Sequence, residues 1–198
     1  MSIYSIMLFV HIVGVIGVFV GVGVWLFATM ALRRAQQVAQ VRTLAGLTVA
    51  SGNLAVGGVL LLAIGGFYMA FTAWGLQTTW IIVATISFAL LAPFGAFILD
   101  PRIRALAKAA AKTPDGPLPT PLAERTRDPL LGVGPCVYIG VLLGIVLLMT
   151  NKPTLVVSIV AMVAAMALGL VSALLLLWWA ARSSRRQEVR ASRMTHDV

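Results

Sequence analysis

Five long apolar segments, separated by short polar or basic stretches, dominate the hydrophobic pattern of the chain. Each has about 20 residues or more, which lets an α-helix with a rise of about 1.5 Å per residue cross a hydrocarbon core of about 30 Å. None alternates apolar and polar residues with a period of two, so transmembrane β-strands are excluded. The pattern predicts an all-α fold with five transmembrane helices, at residues 3–32, 47–74, 78–99, 130–150 and 155–181.

Composition points to the same class of protein. Hydrophobic residues make up 60% of the 198 and charged residues 11%, and the mean hydropathy is +0.99. These values lie outside the range of soluble proteins. The chain is therefore expected to be a polytopic, multi-pass membrane protein.

The basic residues predict the orientation. All Lys and Arg residues except Lys152 lie on one side of the five predicted spans. Basic loops stay in the cytoplasm, so we expect the amino terminus outside and the carboxyl terminus in the cytoplasm. The net charge of +9 then reflects topology and contact with anionic lipids, and no nucleic-acid partner is expected.

The segments between the spans divide the chain. Residues 1–112 form a three-span half that ends in a basic helix, in which Arg104, Lys108 and Lys112 recur every four residues and suggest a helix lying on the lipid headgroups. Residues 113–129 are a proline-rich cytoplasmic linker, because four prolines in residues 114–121 oppose continued helix. Residues 130–181 form a two-span half, and residues 182–198 a basic cytoplasmic tail.

Several kinds of chemistry are disfavoured. No Asp or Glu lies inside a predicted span, whereas carriers driven by protons or sodium commonly use an intramembrane carboxylate. A small-solute or metal-ion permease is therefore a weak alternative. Cys136 is the single cysteine, so no intramolecular disulfide forms. The chain also lacks a phosphate loop, a dinucleotide fingerprint and an HExxH pair, and we assign no catalytic residue.

His11 is the only histidine inside a predicted span, and an ionisable group at that depth usually has a partner. It begins a helical stripe that continues through Gly14 and Gly21. Gly17 and Gly21 form a small-xxx-small pair, which predicts a homodimer through the first span. In one interpretation His11 simply donates a hydrogen bond to a carbonyl, or to Asn53 or Ser51, of the second span.

In the sharper hypothesis, Gly14 and Gly21 clear room for a flat ring and His11 is the metal ligand, an axial ligand of haem b iron. The second ligand would be a methionine from a span, or His11 of a second copy. Lys152 would contact a haem propionate. The alternative for Lys152 is a snorkelling side chain that keeps a short loop at the membrane surface.

Three segments carry a family resemblance. They are FVHIVGVIGVFVGVGVWLF, GGFYMAFTAWGLQTTWIIVA and LMTNKP. Over residues 11–153 the chain resembles the bacterial predicted integral membrane proteins of domain-of-unknown-function family 2269. The resemblance implies a multi-pass protein of a bacterial plasma (inner) membrane without an established activity.

The chain has a more distant likeness to protoporphyrinogen oxidases of the HemJ type and to copper-resistance membrane proteins, which also place a histidine early in the first span. The oxidase pattern has a tryptophan where this chain has Val18. It also has a Leu-Pro-Arg after the glycine that matches Gly21, whereas residues 22–25 of this chain read VGVW. The fifth span of this chain is additional. The likeness therefore implies haem b binding more than oxidation of a porphyrinogen. The matching residues are His11, Gly21, Lys152 and Pro153.

Two functional hypotheses from different classes follow. The first is a haem-b-binding or redox-associated membrane protein with His11 as axial ligand. The second is a non-catalytic membrane scaffold or accessory subunit in which His11 is only hydrogen-bonded.

Overall fold

A computed structural model describes residues 2–196 of the chain, with side chains described for residues 2–179 and for Arg182. The described residues form helices and no β-strand. Five helical stretches are long and apolar enough to cross a membrane, as predicted. The α-helices are α1 (Ile3–Leu32), α2 (Val38–Met69), α3 (Thr79–Pro93), α4 (Asp100–Lys112), α5 (Thr120–Thr126), α6 (Pro129–Asn151) and α7 (Leu155–His196).

Helix α2 begins at Val38, well before the predicted start of the second span at residue 47. Its first turn is capped by Gln40, whose side-chain oxygen accepts hydrogen bonds from the N–H groups of Gln36 and Gln37. The added turns are amphipathic, with Val38 and Val41 fully buried. The apolar run in the sequence did not predict these turns, because the opposite face of the helix is polar.

The third span continues without a break into α4. Helix α3 ends at Pro93, a π-helical segment follows at Phe94–Leu99, and α4 extends the same rod to Lys112. Proline has no N–H to donate within a helix, and in transmembrane helices local π-helical adjustments help to satisfy the backbone groups that a proline leaves free. The carbonyl of Leu91 accepts a hydrogen bond from the Tyr138 hydroxyl of α6 at 2.6 Å.

The position of α4 at the lipid headgroups stays a prediction, but its apolar face packs against protein. Its apolar face, formed by Ile103, Leu106 and Ala110, is at most 2% exposed. That face packs against the first turns of α2 and against α5. The early start of α2 supplies this protein partner, so the apolar face of α4 is not free to enter lipid.

The proline-rich linker is partly helical. Residues 113–119 contain no helix, as the prolines predict, and this segment is fixed by a hydrogen bond from the Leu118 N–H to the Gln36 carbonyl at 2.8 Å. Residues 120–126 form α5, which the prolines do not oppose because Pro121 lies in the first turn, where an N–H has no helical acceptor. Arg33 donates to the carbonyls of Arg127 and Asp128 just beyond α5.

Helices α1 and α2 pack closely as an antiparallel pair. A Cβ atom placed on Gly14 would lie 2.6 Å from the Gly58 carbonyl oxygen, and one on Gly21 would lie 2.7 Å from the Ser51 carbonyl oxygen. A Cβ on Gly58 would lie 2.7 Å from the Val18 nitrogen. Real side chains do not tolerate such distances, so glycine is what allows the two backbones to touch.

This arrangement bears on the predicted homodimer through Gly17 and Gly21. A Cβ on Gly17 would lie 3.3 Å from the Gly58 Cα, and Gly21 is buried against α2. The glycine face of α1 is therefore covered by the chain's own second helix. Dimerisation stays a prediction, but it would have to use another face.

Candidate functional site

His11 forms a hydrogen bond between the first two helices. Its Nδ1 lies 2.8 Å from the carbonyl oxygen of Leu62 in α2, and the residue is only 7% exposed. A carbonyl can only accept, so Nδ1 carries the proton in this bond. In the neutral imidazole Nε2 is then left with its lone pair, and no protein group within the described residues hydrogen-bonds to it.

Two glycines of α2 make the room for this ring. A Cβ on Gly66 would lie 3.0 Å from Nδ1 of His11, and one on Gly65 would lie 2.9 Å from its Cβ. Small residues at these two positions let the imidazole lie directly against the α2 backbone. They were not among the predicted site residues, although the GG pair in the sequence is a signal for close backbone approach.

A small cavity borders His11, and we call it the His11 cavity. It has a volume of about 140 Å³, similar to apolar cavities of about 150 Å³ that bind benzene. Its walls come from α1, α2, α3 and α6 and are almost entirely apolar. Its lining residues include His11, Leu62, Gly66, Phe88 and Met149.

The other predicted site residues do not gather around His11. Gly14 and Gly21 lie against the α2 backbone, and Gly21 also contributes to the wall of a second cavity, which does not include His11. Lys152 lies just beyond α6 with its Nζ 3.9 Å from the centre of the Trp74 ring. Its φ of 51° places it in the left-handed region, where it ends α6. Lys152 is thus held by an aromatic ring at the end of the bundle.

The fit of haem b to these residues is mixed. An imidazole whose Nδ1 donates to a backbone carbonyl has the orientation of an axial or metal ligand, and Met149 contributes to the same cavity. The His11 cavity, however, is smaller than the roughly 300–1,000 Å³ pockets of drug-sized ligands, and a porphyrin is at least as large as such ligands. The donor atoms of His11 and Met149 suit a haem, but the His11 cavity is too small to hold one.

A second and larger cavity lies further along the same helices, towards the Arg33 end of α1, and we call it the Trp25 cavity. Its volume is about 330 Å³. Sequence reasoning missed it because its wall combines residues from α1, α2, α4, α6 and the third span. Among the lining residues are Trp25, Asn53, Val56, Ala92, Ala96, Asp100, Arg104 and Leu142.

The two cavities are neighbours between α2 and α3. Val18, Phe88 and Leu142 line both of them. Helix α1 packs on α2 and α6, and α3 packs on α6, so α2 and α3 flank the cavities from opposite sides. Exposed residues at this gap include Phe67 and Val56 of α2, which are 50% and 60% exposed.

Within the described residues, no group of three or more His, Cys, Asp or Glu side chains could hold a metal ion. A metal at His11 would therefore depend on a cofactor or on ligands such as Met149.

Comparison with known proteins identifies a family but no specific function. No curated protein and no solved structure matches the chain, and the distant likeness to HemJ-type oxidases is not confirmed. One family matches residues 5–153, and its description is that of a predicted integral membrane protein. The chain, with its five membrane-spanning helices, therefore belongs to the DUF2269 family of predicted integral membrane proteins.

Proposed function

We propose that the protein is a non-catalytic component of the membrane, a scaffold or accessory subunit, in which His11 holds α1 to α2. The hydrogen bond from Nδ1 to the Leu62 carbonyl supports this role. Among the described residues, no other side-chain hydrogen bond joins these two helices. The bond lies beside the glycine contacts that bring the two backbones together.

The expected energy of this bond is modest. Side-chain hydrogen bonds between membrane helices contribute about 0.6 kcal/mol on average and about 1.7 kcal/mol at most. His11→Ala also removes the ring that packs on Gly65 and Gly66, so the loss of stability should exceed the hydrogen bond alone. A structural His11 should therefore show its effect in the free energy of unfolding.

A haem-b-binding, redox-associated protein is the second candidate. Two observations favour it: the free Nε2 of His11, and the presence of Met149 in the same cavity. Because the His11 cavity is too small for a porphyrin, this function needs a rearrangement, and Phe88, which separates the two cavities, would have to move.

An absorption spectrum separates the two candidates. The protein is expressed with an ample haem supply, purified in detergent and compared with His11→Ala and Met149→Leu. The scaffold proposal predicts a colourless protein and a His11→Ala variant that unfolds more readily. A Soret band in the parent protein that disappears in His11→Ala would contradict it and establish the haem function.

A further inference from the structure

The Trp25 cavity combines apolar walls with one polar corner. Val22, Val56 and Leu142 contribute to the apolar surface, while Asn53 and Arg104 supply polar groups. Ligand sites typically have this mixture, in which the apolar walls bind the ligand and a few polar groups fix its orientation. Its volume of about 330 Å³ falls within the range of about 300–1,000 Å³ for small-molecule pockets.

The charges of the polar corner compensate one another. Nε of Arg104 lies 2.6 Å from the Asp100 carboxylate, and Nη2 of Arg104 lies 3.4 Å from the Asn53 side-chain oxygen. The positive charge of Arg104 is thus already paired. An uncharged polar head group suits this corner better than an anion, which would have to compete with Asp100.

Trp25 adds a hydrogen-bond donor without an acceptor. Its indole Nε1 is buried and has no partner among the described residues, although the side chain contributes to the cavity wall. A buried donor left unpaired costs about 1–3 kcal/mol. A small rotation of the ring would bring this N–H to an acceptor oxygen of a ligand in the cavity and remove that cost.

The cavity can be reached from the membrane. Val56 of α2 is 60% exposed, and Ala92 and Ala96 of the third span are exposed too. All three residues line the cavity. An apolar tail can therefore extend into lipid between α2 and the third span while the head group stays inside.

We propose that the Trp25 cavity binds a neutral lipophile whose head group carries a carbonyl, as quinones do. The carbonyl accepts the Trp25 N–H, the Asn53 and Arg104 side chains border the rest of the head group, and the tail lies towards the membrane. This site is separate from His11, and the proposal does not depend on the role of His11.

Decylubiquinone is a suitable probe, because it has ring carbonyls, no charge and a short apolar tail. Its Kd is measured by titration calorimetry on the full chain in lipid nanodiscs, with empty nanodiscs as background. Decanoate, an anion with a comparable tail, is titrated in parallel. The proposal predicts saturable binding of decylubiquinone and weaker binding of decanoate.

Matched variants locate the site. Trp25→Phe removes the donor together with part of the ring, and the loss of one neutral hydrogen bond alone should weaken binding roughly 3- to 10-fold. Ala96→Phe places a ring in the cavity wall and should abolish binding. Ala89→Phe, an exposed position of the same span that lines neither cavity, should bind like the parent protein.

Three results would overturn the proposal. One is decylubiquinone binding no better than to empty nanodiscs, and another is tighter binding of decanoate. The third is an unchanged Kd in both Trp25→Phe and Ala96→Phe, provided that both variants keep the parent's unfolding behaviour.

Discussion

Replacing Gly14 with alanine tests the contact on which the α1–α2 pair depends. The added Cβ would lie 2.6 Å from the Gly58 carbonyl oxygen and 2.8 Å from the Leu62 Cα, whereas ordinary van der Waals contacts of a Cβ begin at 3.4 Å. The obstructing atoms belong to the α2 backbone, which cannot rotate away as a side chain can. The two helices must therefore move apart locally.

The size of the effect follows from overpacking, which typically costs about 1–3 kcal/mol. Alanine also has a higher helix propensity than glycine, by about 1 kcal/mol, and this gain partly hides the loss. Gly23→Ala is the matched control, since a Cβ at Gly23 in the same helix meets nothing within 4 Å. Both variants share the propensity gain, so their difference of about 1–3 kcal/mol isolates the helix crossing.

The assay is reversible unfolding in mixed micelles, followed by helix content as the fraction of denaturing detergent increases. Gly14→Ala should have a lower free energy of unfolding than Gly23→Ala. Equal stabilities would refute the close crossing, and so would a Gly14→Ala variant that is the more stable of the two.

Two further predictions use the same unfolding assay. A Cβ on Gly95 would collide with the Tyr138 hydroxyl. Gly95→Ala should therefore cost the parent about 1–3 kcal/mol of overpacking, partly offset by the helix propensity of alanine, and the net loss should be smaller in a Tyr138→Phe background. Equal losses in the two backgrounds would contradict this contact. Lys152 has a φ of 51°, which costs a residue with a Cβ about 1–2 kcal/mol, and its contact with Trp74 contributes about 0.5–1 kcal/mol. Lys152→Gly loses both the backbone cost and the Trp74 contact, so its stability should be close to that of the parent. Lys152→Val keeps the backbone cost and loses the contact, so it should be clearly destabilised. A glycine variant as unstable as the valine variant would argue against this account of the turn.

The spans could be predicted from sequence because their signal is local, a run of apolar residues long enough for the bilayer. The start of α2 could not be predicted from sequence, because Val38 and Val41 lie among polar residues and become part of the core only when α4 packs on them. The packing of α4 was missed for the same reason. A basic amphipathic helix looks alike whether its apolar face meets lipid or protein.

The candidate site shows the same limit. One of the two interpretations from the sequence has His11 donate to a carbonyl, or to Asn53 or Ser51, of the second span, and in the structure the acceptor is the Leu62 carbonyl. The Ser51 hydroxyl donates instead within its own helix, to the Thr48 carbonyl. The choice follows from the helix register, which the glycine contacts determine. The Trp25 cavity had no sequence signal, because its wall forms only when several helices meet.

The most direct test of the structural role of His11 is the nitrogen-15 NMR spectrum of its imidazole in lipid bilayers, recorded on His196→Asn so that one histidine remains. The account predicts a protonated Nδ1 close to the Leu62 carbonyl carbon, and an Nε2 with the chemical shift of an uncoordinated nitrogen. A metal-coordinated Nε2, or an Nδ1 without a proton, would contradict it.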